Sequence, residues 1–261
     1  MNYYENTRGC IFFNFMGVPT VIRPSSWLLL IILGSGCGQG MAELAGVLFF
    51  VASGMICLLV HEYGHAFTCR ALGGGPSSVE IASIGGVTYS AYPPPTRTKH
   101  LLMVLAGPGA SLAAGLLVGL FLGILAGSPL GGVLFSVADP IPGMLELLCE
   151  YLGKNNPQLL RDLLEVYHYL YDPSELFLAG QFYSIFCYVC LWWSLLNLLP
   201  IFPLDGGKAF YLITDRSHLT YMVGMTISAI LIWYCLTRGM TFNSFICAYL
   251  FYVNYRQYRS L

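Results

Sequence analysis

The chain has 261 residues, and its 12 Lys and Arg against 13 Asp and Glu give a net charge of -1 at pH 7. Hydrophobic residues make up 56% of the sequence and charged residues only 10%, whereas a soluble domain carries roughly 25% charge. This composition excludes an ordinary soluble domain, a disordered chain, a collagen-like repeat and a coiled coil, and the near-neutral charge gives no indication of a nucleic-acid partner. We expect an all-α polytopic membrane protein, a single domain over residues 1–261 embedded in the lipid bilayer.

Six stretches of the chain are candidates for membrane-spanning helices. A spanning helix needs about 20 mostly apolar residues, and each of these stretches is free of charge. The first is interrupted by glycines at 34, 36, 38 and 40, so we expect it to be short or to bend. The predicted spans are Pro24–Ala42, Leu44–Val60, Leu101–Ala126, Leu176–Leu204, Leu219–Thr237 and Gly239–Tyr255.

The basic residues predict the orientation of these spans. Cytoplasmic segments of membrane proteins carry an excess of Lys and Arg. With both termini in the cytoplasm, only Lys154, Arg161 and Arg238 lie on the opposite side. The other nine are then cytoplasmic: Arg8, Arg23, Arg70, Arg97, Lys99, Lys208, Arg216, Arg256 and Arg259.

Two segments between the spans have a character of their own. Residues Val79–Tyr92 are rich in β-branched side chains around Gly85-Gly86 and stop at three prolines, which predicts a small β-hairpin re-entering the membrane. Residues 127–179 predict an external loop with at least one amphipathic helix, because apolar side chains recur there at helical spacing. Those side chains are Leu159, Leu160, Leu163, Leu164 and Tyr167.

Small residues recur at every fourth position of the third span. Such a stripe lets a neighbouring helix approach closely, so we expect this span to sit centrally in the bundle. The stripe consists of Gly107, Ser111, Gly115, Gly119 and Gly123.

The second span leads into the sequence HEYGH at residues 61–65. On a helix, His61 and His65 share one face and can bind one metal ion, and Glu62 can reach a water molecule on that ion. An alternative is a helix end with solvated polar residues, since so short a pattern also arises by chance. Ionisable side chains at membrane depth cost on the order of 2.5–3.5 kcal/mol on insertion scales, which favours a functional site.

A third metal ligand is predicted at the end of the fourth span. Asp205 follows 29 charge-free residues, and Pro200 and Pro203 break the helix just before it. Irregular backbone at this depth requires protein or a water-filled cavity around it. Because a catalytic zinc site uses three protein ligands and keeps one position open, Asp205 completes the set with His61 and His65.

These motifs resemble the site-2 protease family of intramembrane zinc metalloproteases. The resemblance rests on HEYGH at the end of one span and NLLPIFPLDGG, residues 197–207, in a later one. Three further stretches are similar to the family: Gly17–Trp27 to the start of its first helix, Ile84–Val87 to its Gly-Gly hairpin, and Ala106–Pro108 to its Ala-Gly-Pro helix. Together these stretches cover roughly residues 17–210.

The resemblance implies a core of three helices over about residues 44–210, wrapped by further spans that include the C-terminal helices at 219–255. The core helices would be Leu44–Leu72, Leu101–Ala126 and Gly180–Lys208. It also implies one zinc ion bound by His61, His65 and Asp205, and Glu62 as the catalytic acid and base. The substrates would be membrane proteins, cleaved within or near their transmembrane segments.

The sequence indicates the residues that would contact the substrate less directly than the metal ligands. The strand-like residues around Gly85 and Gly86 could pair with an unwound substrate segment, or they could form a purely structural hairpin. Asn197 is a candidate polar group beside the site, with helix packing as the alternative. Family members often carry Asn where this chain has Ser111, so the family role of that position in holding the substrate backbone does not transfer simply.

A second class of function is a zinc-binding membrane scaffold or transporter without proteolytic activity. Binding a metal ion alone does not require the carboxylate of Glu62, so the presence of this residue favours the enzyme. Serine and aspartyl intramembrane proteases fit less well, since no GxSG-like turn occurs and Asp205 is the only aspartate embedded in a predicted span.

Overall fold

A computed structural model describes residues 9–35, 41–82, 85–141, 143–171 and 177–261. Within these ranges the chain forms four strands and ten helices. The strands are β1 Ile11–Phe15, β2 Val18–Ile22, β3 Ser77–Ala82 and β4 Gly85–Ser90. The helices are α1 Pro24–Gly34, α2 Met41–Ala71, α3 Arg97–Leu125, α4 Pro129–Ala138, α5 Met144–Asn155, α6 Pro157–Tyr171, α7 Phe177–Asn197, α8 Asp205–Thr214, α9 Ser217–Thr237 and α10 Thr241–Arg259.

The strands form one sheet in the order β1-β2-β3-β4. β3 and β4 pair antiparallel, as the hairpin prediction required, but the glycines belong to β4: Gly85 pairs with Ala82 and Gly86 with Ile81. No strand was predicted for residues 11–22, whereas β1 and β2 form a second hairpin that joins β3 through parallel pairing of β2. The predicted hairpin is therefore one half of a four-stranded sheet. Ile84, which belongs to the stretch resembling the family's Gly-Gly hairpin, lies outside the described residues.

Two sets of contacts hold the sheet against the helices, one at the start of α1 and one with α2. Arg23, which precedes α1, pairs with Glu80 of β3, and its main-chain N–H donates to the Ile81 carbonyl at 2.9 Å. Val79 and Ile81 of β3 are buried in one core cluster with apolar residues of α2. Pro24 is the first residue of α1. A main-chain N–H at this position would have no partner within the helix, so the lack of one in proline costs no hydrogen bond. The sheet is thus held in a fixed position beside α2.

The core consists of α2, α3 and α7, which contact one another pairwise. The small-residue stripe of α3 is buried along its whole length, so the predicted central position of this helix is confirmed. A Cβ on Gly119 would lie 2.7 Å from the Gly132 carbonyl oxygen of α4, and one on Gly115 would lie 3.2 Å from Cys190 of α7. The stripe therefore allows α4 and α7 to approach α3 on this face.

Three helices of the described chain are long and apolar enough to cross a membrane. They contain Leu44–Ala71, Arg97–Leu125 and Ser217–Thr237, which correspond to the second, third and fifth predicted spans. The first predicted span contains the 11-residue helix α1, while its glycines at 36, 38 and 40 lie outside the described residues. The fourth and sixth contain α7 and α10, which do not belong to this group of three. A protein with six crossing helices stays a prediction.

The segment predicted as an external loop is largely helical. It contains α4, α5 and α6, and the predicted amphipathic helix is α6. Leu163, Val166 and Leu170 of α6 are buried in one apolar cluster with Leu122 of α3. The predicted amphipathic helix is therefore present and packs on the three-helix core, and the position of this segment outside the membrane stays a prediction.

Candidate metal centre

The site contains two histidines on one face of α2. His61 and His65 lie one helical turn apart, which brings their rings together, and their Nε2 atoms are 3.2 Å apart. Both side chains are buried. The charge-free stretch stopped at Val60, but α2 continues to Ala71, so the motif lies within a continuous helix.

Asp205 approaches the two histidines from another element. α7 ends at Asn197, ahead of Pro200 as the prolines predict, and the chain turns through residues 198–204 before α8 begins at Asp205. The single core helix Gly180–Lys208 that the resemblance implied is therefore wrong, because the prolines divide it into two helices. The Asp205 Oδ2 atom lies 2.9 Å from His61 Nε2 and 3.0 Å from His65 Nε2. Two segments separated by 140 residues thus meet with three atoms that could hold a metal ion.

The contact of Nδ1 in the His65 ring indicates whether its Nε2 atom carries a proton or a lone pair. Nδ1 of His65 lies 2.8 Å from the main-chain carbonyl of Met103 on α3. A carbonyl only accepts hydrogen bonds, so we assign the proton of the neutral imidazole to Nδ1 and the lone pair to Nε2. A metal-binding histidine is typically oriented by such a bond from its other nitrogen.

His61 is oriented by a chain of hydroxyl groups. The Ser194 hydroxyl donates to the Cys190 carbonyl at 2.6 Å, so its oxygen is free to accept from Ser111 at 2.8 Å. The Ser111 oxygen can then accept from Nδ1 of His61, which lies 3.4 Å away. Ser111 and Ser194 are both fully buried. This arrangement leaves the Nε2 lone pair of His61 facing Asp205.

The three facing atoms fit a metal ion. The two Nε2 atoms and Asp205 Oδ2 lie within 2.9–3.2 Å of one another, and with the tautomers assigned above none of the three carries a proton. A cation between them would bind all three. With zinc-to-ligand distances of 2.0–2.2 Å in a tetrahedron, ligand atoms lie about 3.3 Å apart. The spacing and the donor set therefore suit zinc with an open fourth position.

The chain around Asp205 is too tightly folded for side chains at the next two positions. A Cβ on Gly206 would lie 2.2 Å from the Leu198 carbonyl oxygen, and one on Gly207 would lie 2.5 Å from the Ile201 carbonyl carbon. Lys208 donates to the second carboxylate oxygen of Asp205 at 2.9 Å. The DGGK sequence thus turns the backbone sharply and holds the carboxylate through the oxygen that does not face the histidines.

Glu62 is buried, with 4% of its surface exposed, and strand β4 packs against it. The Thr88 hydroxyl lies 2.7 Å from Glu62 Oε2 and 3.0 Å from the Glu62 carbonyl oxygen. A Cβ on Gly86 would lie 2.4 Å from the Glu62 Cγ atom. Gly86 therefore leaves room for this side chain, and Thr88 fixes its carboxylate.

The remaining predicted residues lie around these groups. The Asn197 side chain is buried at the end of α7 and donates to the Trp193 carbonyl at 2.9 Å. The Trp193 ring lies near both Gly85 and His61. A Cβ on Gly85 would lie 3.4 Å from this ring, and the His61 ring centroid is 6.4 Å from the Trp193 ring centroid. Ser111 lies behind His61, on the side away from Asp205. Trp193 thus links the start of β4 to the metal centre.

Four side chains that touch this site or its loop were not predicted from the sequence: Thr88, Ser194, Lys208 and Asn254. Lys208 was detectable, because it follows Asp205 by three residues on a helix. Asn254 was detectable as one of the two amides of the predicted span Gly239–Tyr255. Nothing in the local sequence of Thr88 or Ser194 indicates their contacts, which depend on how distant elements pack.

Comparison with known proteins agrees with this geometry. The model of Peptidase family M50 matches residues 49–232, more than two thirds of the chain. Among solved structures, the site-2 protease from Methanocaldococcus jannaschii is similar over 95% of this chain and 95% of its own, with 16% sequence identity and a TM-score of 0.49. No curated protein matches the sequence. The family match includes α3, α7, α8 and both metal motifs, and it excludes β1, β2, α1 and α10.

Proposed function

The chain belongs to peptidase family M50 and is an intramembrane zinc metalloprotease of the site-2 type, and we propose that His61, His65 and Asp205 bind its one zinc ion. The observation that carries this proposal is the convergence of two imidazole Nε2 atoms and one carboxylate oxygen within 3.2 Å. Bound there, zinc supplies a Lewis acid with an open coordination position.

We propose that Glu62 moves the protons of the reaction. Its carboxylate accepts a proton from the attacking water and returns it to the leaving amine. The hydrogen bond from Thr88 to Oε2 holds the carboxylate in one orientation. Burial between α2 and β4 keeps bulk water from competing for this group. Removing such an acid–base group typically costs about 10²–10⁴-fold in rate.

The substrate is a membrane protein, and β4 is the element we propose for holding its unwound segment. A helical peptide hides its carbonyl groups in its own hydrogen bonds, so cleavage needs a locally extended chain. β4 is an outer strand of the sheet, and an extended segment can add to such an edge. Gly85 and Gly86 would let the added segment approach closely beside Glu62.

Two further polar residues have proposed roles. Asn197 uses one amide N–H on the Trp193 carbonyl, and its other N–H would stabilise the negative oxygen that develops on the cleaved carbonyl. For Ser111, contact with the substrate stays a prediction. The neighbours described for it are His61, Ser194 and carbonyls of its own helix, so we propose that it acts by orienting His61.

The protein is integral to the membrane, and the finer topology is proposed. Six crossing helices with both termini in the cytoplasm account for the nine-to-three distribution of basic residues. Labelling single added cysteines from either side of sealed vesicles tests this. Exposure of residues 127–179 and of the C-terminus on the same side would contradict it.

A test of the proteolytic assignment compares wild-type protein with Glu62→Gln. Both are purified, their zinc content is measured, and both are reconstituted with a panel of single-span membrane protein fragments. We expect one zinc ion per chain in both, with cleavage by the wild type alone. Glu150→Gln, which changes an exposed glutamate of α5, should cleave like the wild type.

The alternative of an inactive zinc-binding scaffold predicts a different result. Zinc would be retained by both proteins, and neither would cleave any fragment of the panel. The ligand assignment is tested separately with Asp205→Ala, which should lose zinc. Full zinc content in that variant would exclude Asp205 as a ligand.

A further inference from the structure

Asn254 is a fully buried amide on α10, with 0% of its surface exposed. Its side chain satisfies both main-chain groups of Phe202. The Phe202 N–H donates to Asn254 Oδ1 at 3.2 Å, and Asn254 Nδ2 donates to the Phe202 carbonyl at 2.6 Å. A further bond from Nδ2 reaches the Leu250 carbonyl at 2.8 Å within α10. Three of the four hydrogen bonds available to this amide are therefore made.

Phe202 lies in the loop of residues 198–204, three positions before Asp205. This loop has few bonds of its own: Ile201 N–H donates to the Leu199 carbonyl at 2.7 Å, and Leu204 N–H donates to the Ile201 carbonyl at 2.9 Å. Neither of these bonds uses a main-chain group of Phe202. Unpaired main-chain groups are costly at membrane depth. The Asn254 amide therefore pairs with the N–H and the carbonyl of Phe202, as the main chain of a neighbouring strand would.

α9 leaves room for this amide. A Cβ on Gly224 of α9 would lie 2.3 Å from Asn254 Oδ1 and 2.8 Å from its Cγ. α9 also supplies Tyr221, whose ring stands edge-on to the Phe202 ring at 5.7 Å. The two C-terminal helices thus hold Phe202 by its backbone and its side chain.

We propose that Asn254 is a positioning residue for the metal centre: by fixing Phe202, it holds the loop that presents the Asp205 carboxylate to His61 and His65. The proposal rests on the proposed role of Asp205 as a ligand. It assigns a function to α10, which lies beyond the residues matched by the family model. The competing explanation is that Asn254 only anchors α10 to the bundle.

The test combines variants that disturb this contact from two sides. Asn254→Leu removes both bonds to Phe202 while keeping a similar volume. Gly224→Ala leaves Asn254 in the sequence but inserts a methyl group where its Oδ1 lies. Ser244→Ala is the matched control, because Ser244 is buried on the same helix and its hydroxyl bonds to the Thr241 carbonyl within α10.

Three readouts separate positioning from anchoring. We expect zinc transfer to a chelator to be about 10–100-fold faster in Asn254→Leu and Gly224→Ala, the range found for residues that support metal ligands. The visible spectrum of the cobalt-substituted protein should change. In metal-free protein, the amide of Phe202 should lose its protection from hydrogen exchange. Ser244→Ala should match the wild type in all three.

A double variant sharpens the test. In Gly224→Ala with Asn254→Ala the smaller side chain makes room for the added methyl group, so zinc loss should be no faster than in Asn254→Ala alone. Folded variants with wild-type zinc release, cobalt spectrum and Phe202 exchange would overturn the proposal. If Asn254→Leu does not fold, Gly224→Ala decides in the same way. A wild-type protein that binds no zinc would instead refute the proposed metal site.

Discussion

Gly107 of α3 lies so close to His65 that a Cβ at this position would be 2.2 Å from the ring Nε2 atom. That atom faces Asp205, so the glycine of the Ala-Gly-Pro sequence leaves space for the side chain proposed as a ligand. We predict that Gly107→Ala displaces the His65 ring and reduces zinc content to background. Zinc analysis of purified protein measures this loss.

The same helix supplies the control for that prediction. A Cβ added to Gly109 would have no neighbouring atom within 4 Å, and alanine favours a helix over glycine by about 0.5–1 kcal/mol. Gly109→Ala should therefore keep full zinc content and a melting temperature equal to or above that of the wild type. Equal zinc content in both variants would contradict the role given to Gly107.

Removing the Ser111 hydroxyl should weaken zinc binding without removing a ligand. Ser111→Ala leaves Nδ1 of His61 without its acceptor, so the ring is free to turn and to exchange tautomers. We expect zinc affinity to fall about 10–100-fold, as for other partners of metal-binding histidines. Ser136→Ala is the control, because the Ser136 hydroxyl is buried and bonds to the Val133 carbonyl of its own helix. Unchanged affinity in Ser111→Ala would exclude this role.

Thr88→Val should slow the reaction while leaving the metal in place. Valine keeps the shape of threonine but cannot donate to the Glu62 carboxylate, which now accepts at 2.7 Å. A hydrogen bond to a charged group contributes about 1.5–3 kcal/mol, so we expect kcat to fall about tenfold or more with unchanged zinc content. Thr88→Ser restores the hydroxyl and should recover most of the rate. A Thr88→Val protein with wild-type kcat would show that Glu62 does not depend on this bond.

The features of this site that depend on composition were predictable from sequence. Charged residues at the ends of apolar stretches are costly in a membrane, so HEYGH and Asp205 stood out, and the prolines before Asp205 correctly predicted a helix end. The contacts that orient these residues were not predictable. Thr88 reaches Glu62 only because β4 packs against α2, and Asn254 reaches Phe202 only because α10 packs beside the loop.

The fold was predictable where a single segment determines its own structure. The core helices follow from long apolar runs, and the β3–β4 hairpin follows from local β-branched residues. β2 was missed because its five residues include Pro19 and because it pairs with β3, more than 50 residues later in the chain. α4 was missed because two glycines and a proline usually mark loops, whereas here Pro129 and Gly132 allow close contact with α3, and Gly131 allows close contact with α6.

Asp205→Asn should make the metal-free protein more stable than the metal-free wild type and should abolish stabilisation by zinc. With the neutral tautomers assigned above, three hydrogen-bond acceptors face one another at 2.9–3.2 Å in the metal-free wild type. An asparagine amide in the same place can donate its two N–H groups to the two Nε2 atoms. Its oxygen can still accept from Lys208, which lies 2.9 Å from Asp205 Oδ1.

An unsatisfied buried polar group costs about 1–3 kcal/mol, so metal-free Asp205→Asn should melt at a higher temperature than metal-free wild type. Added zinc should raise the melting temperature of the wild type alone, because a ligand stabilises only the folded state that binds it. Thermal unfolding of both proteins in a chelator and in excess zinc measures the four values. If metal-free Asp205→Asn were the less stable of the two, the assignment of lone pairs on Nε2 of both His61 and His65 toward residue 205 would be wrong for the metal-free protein.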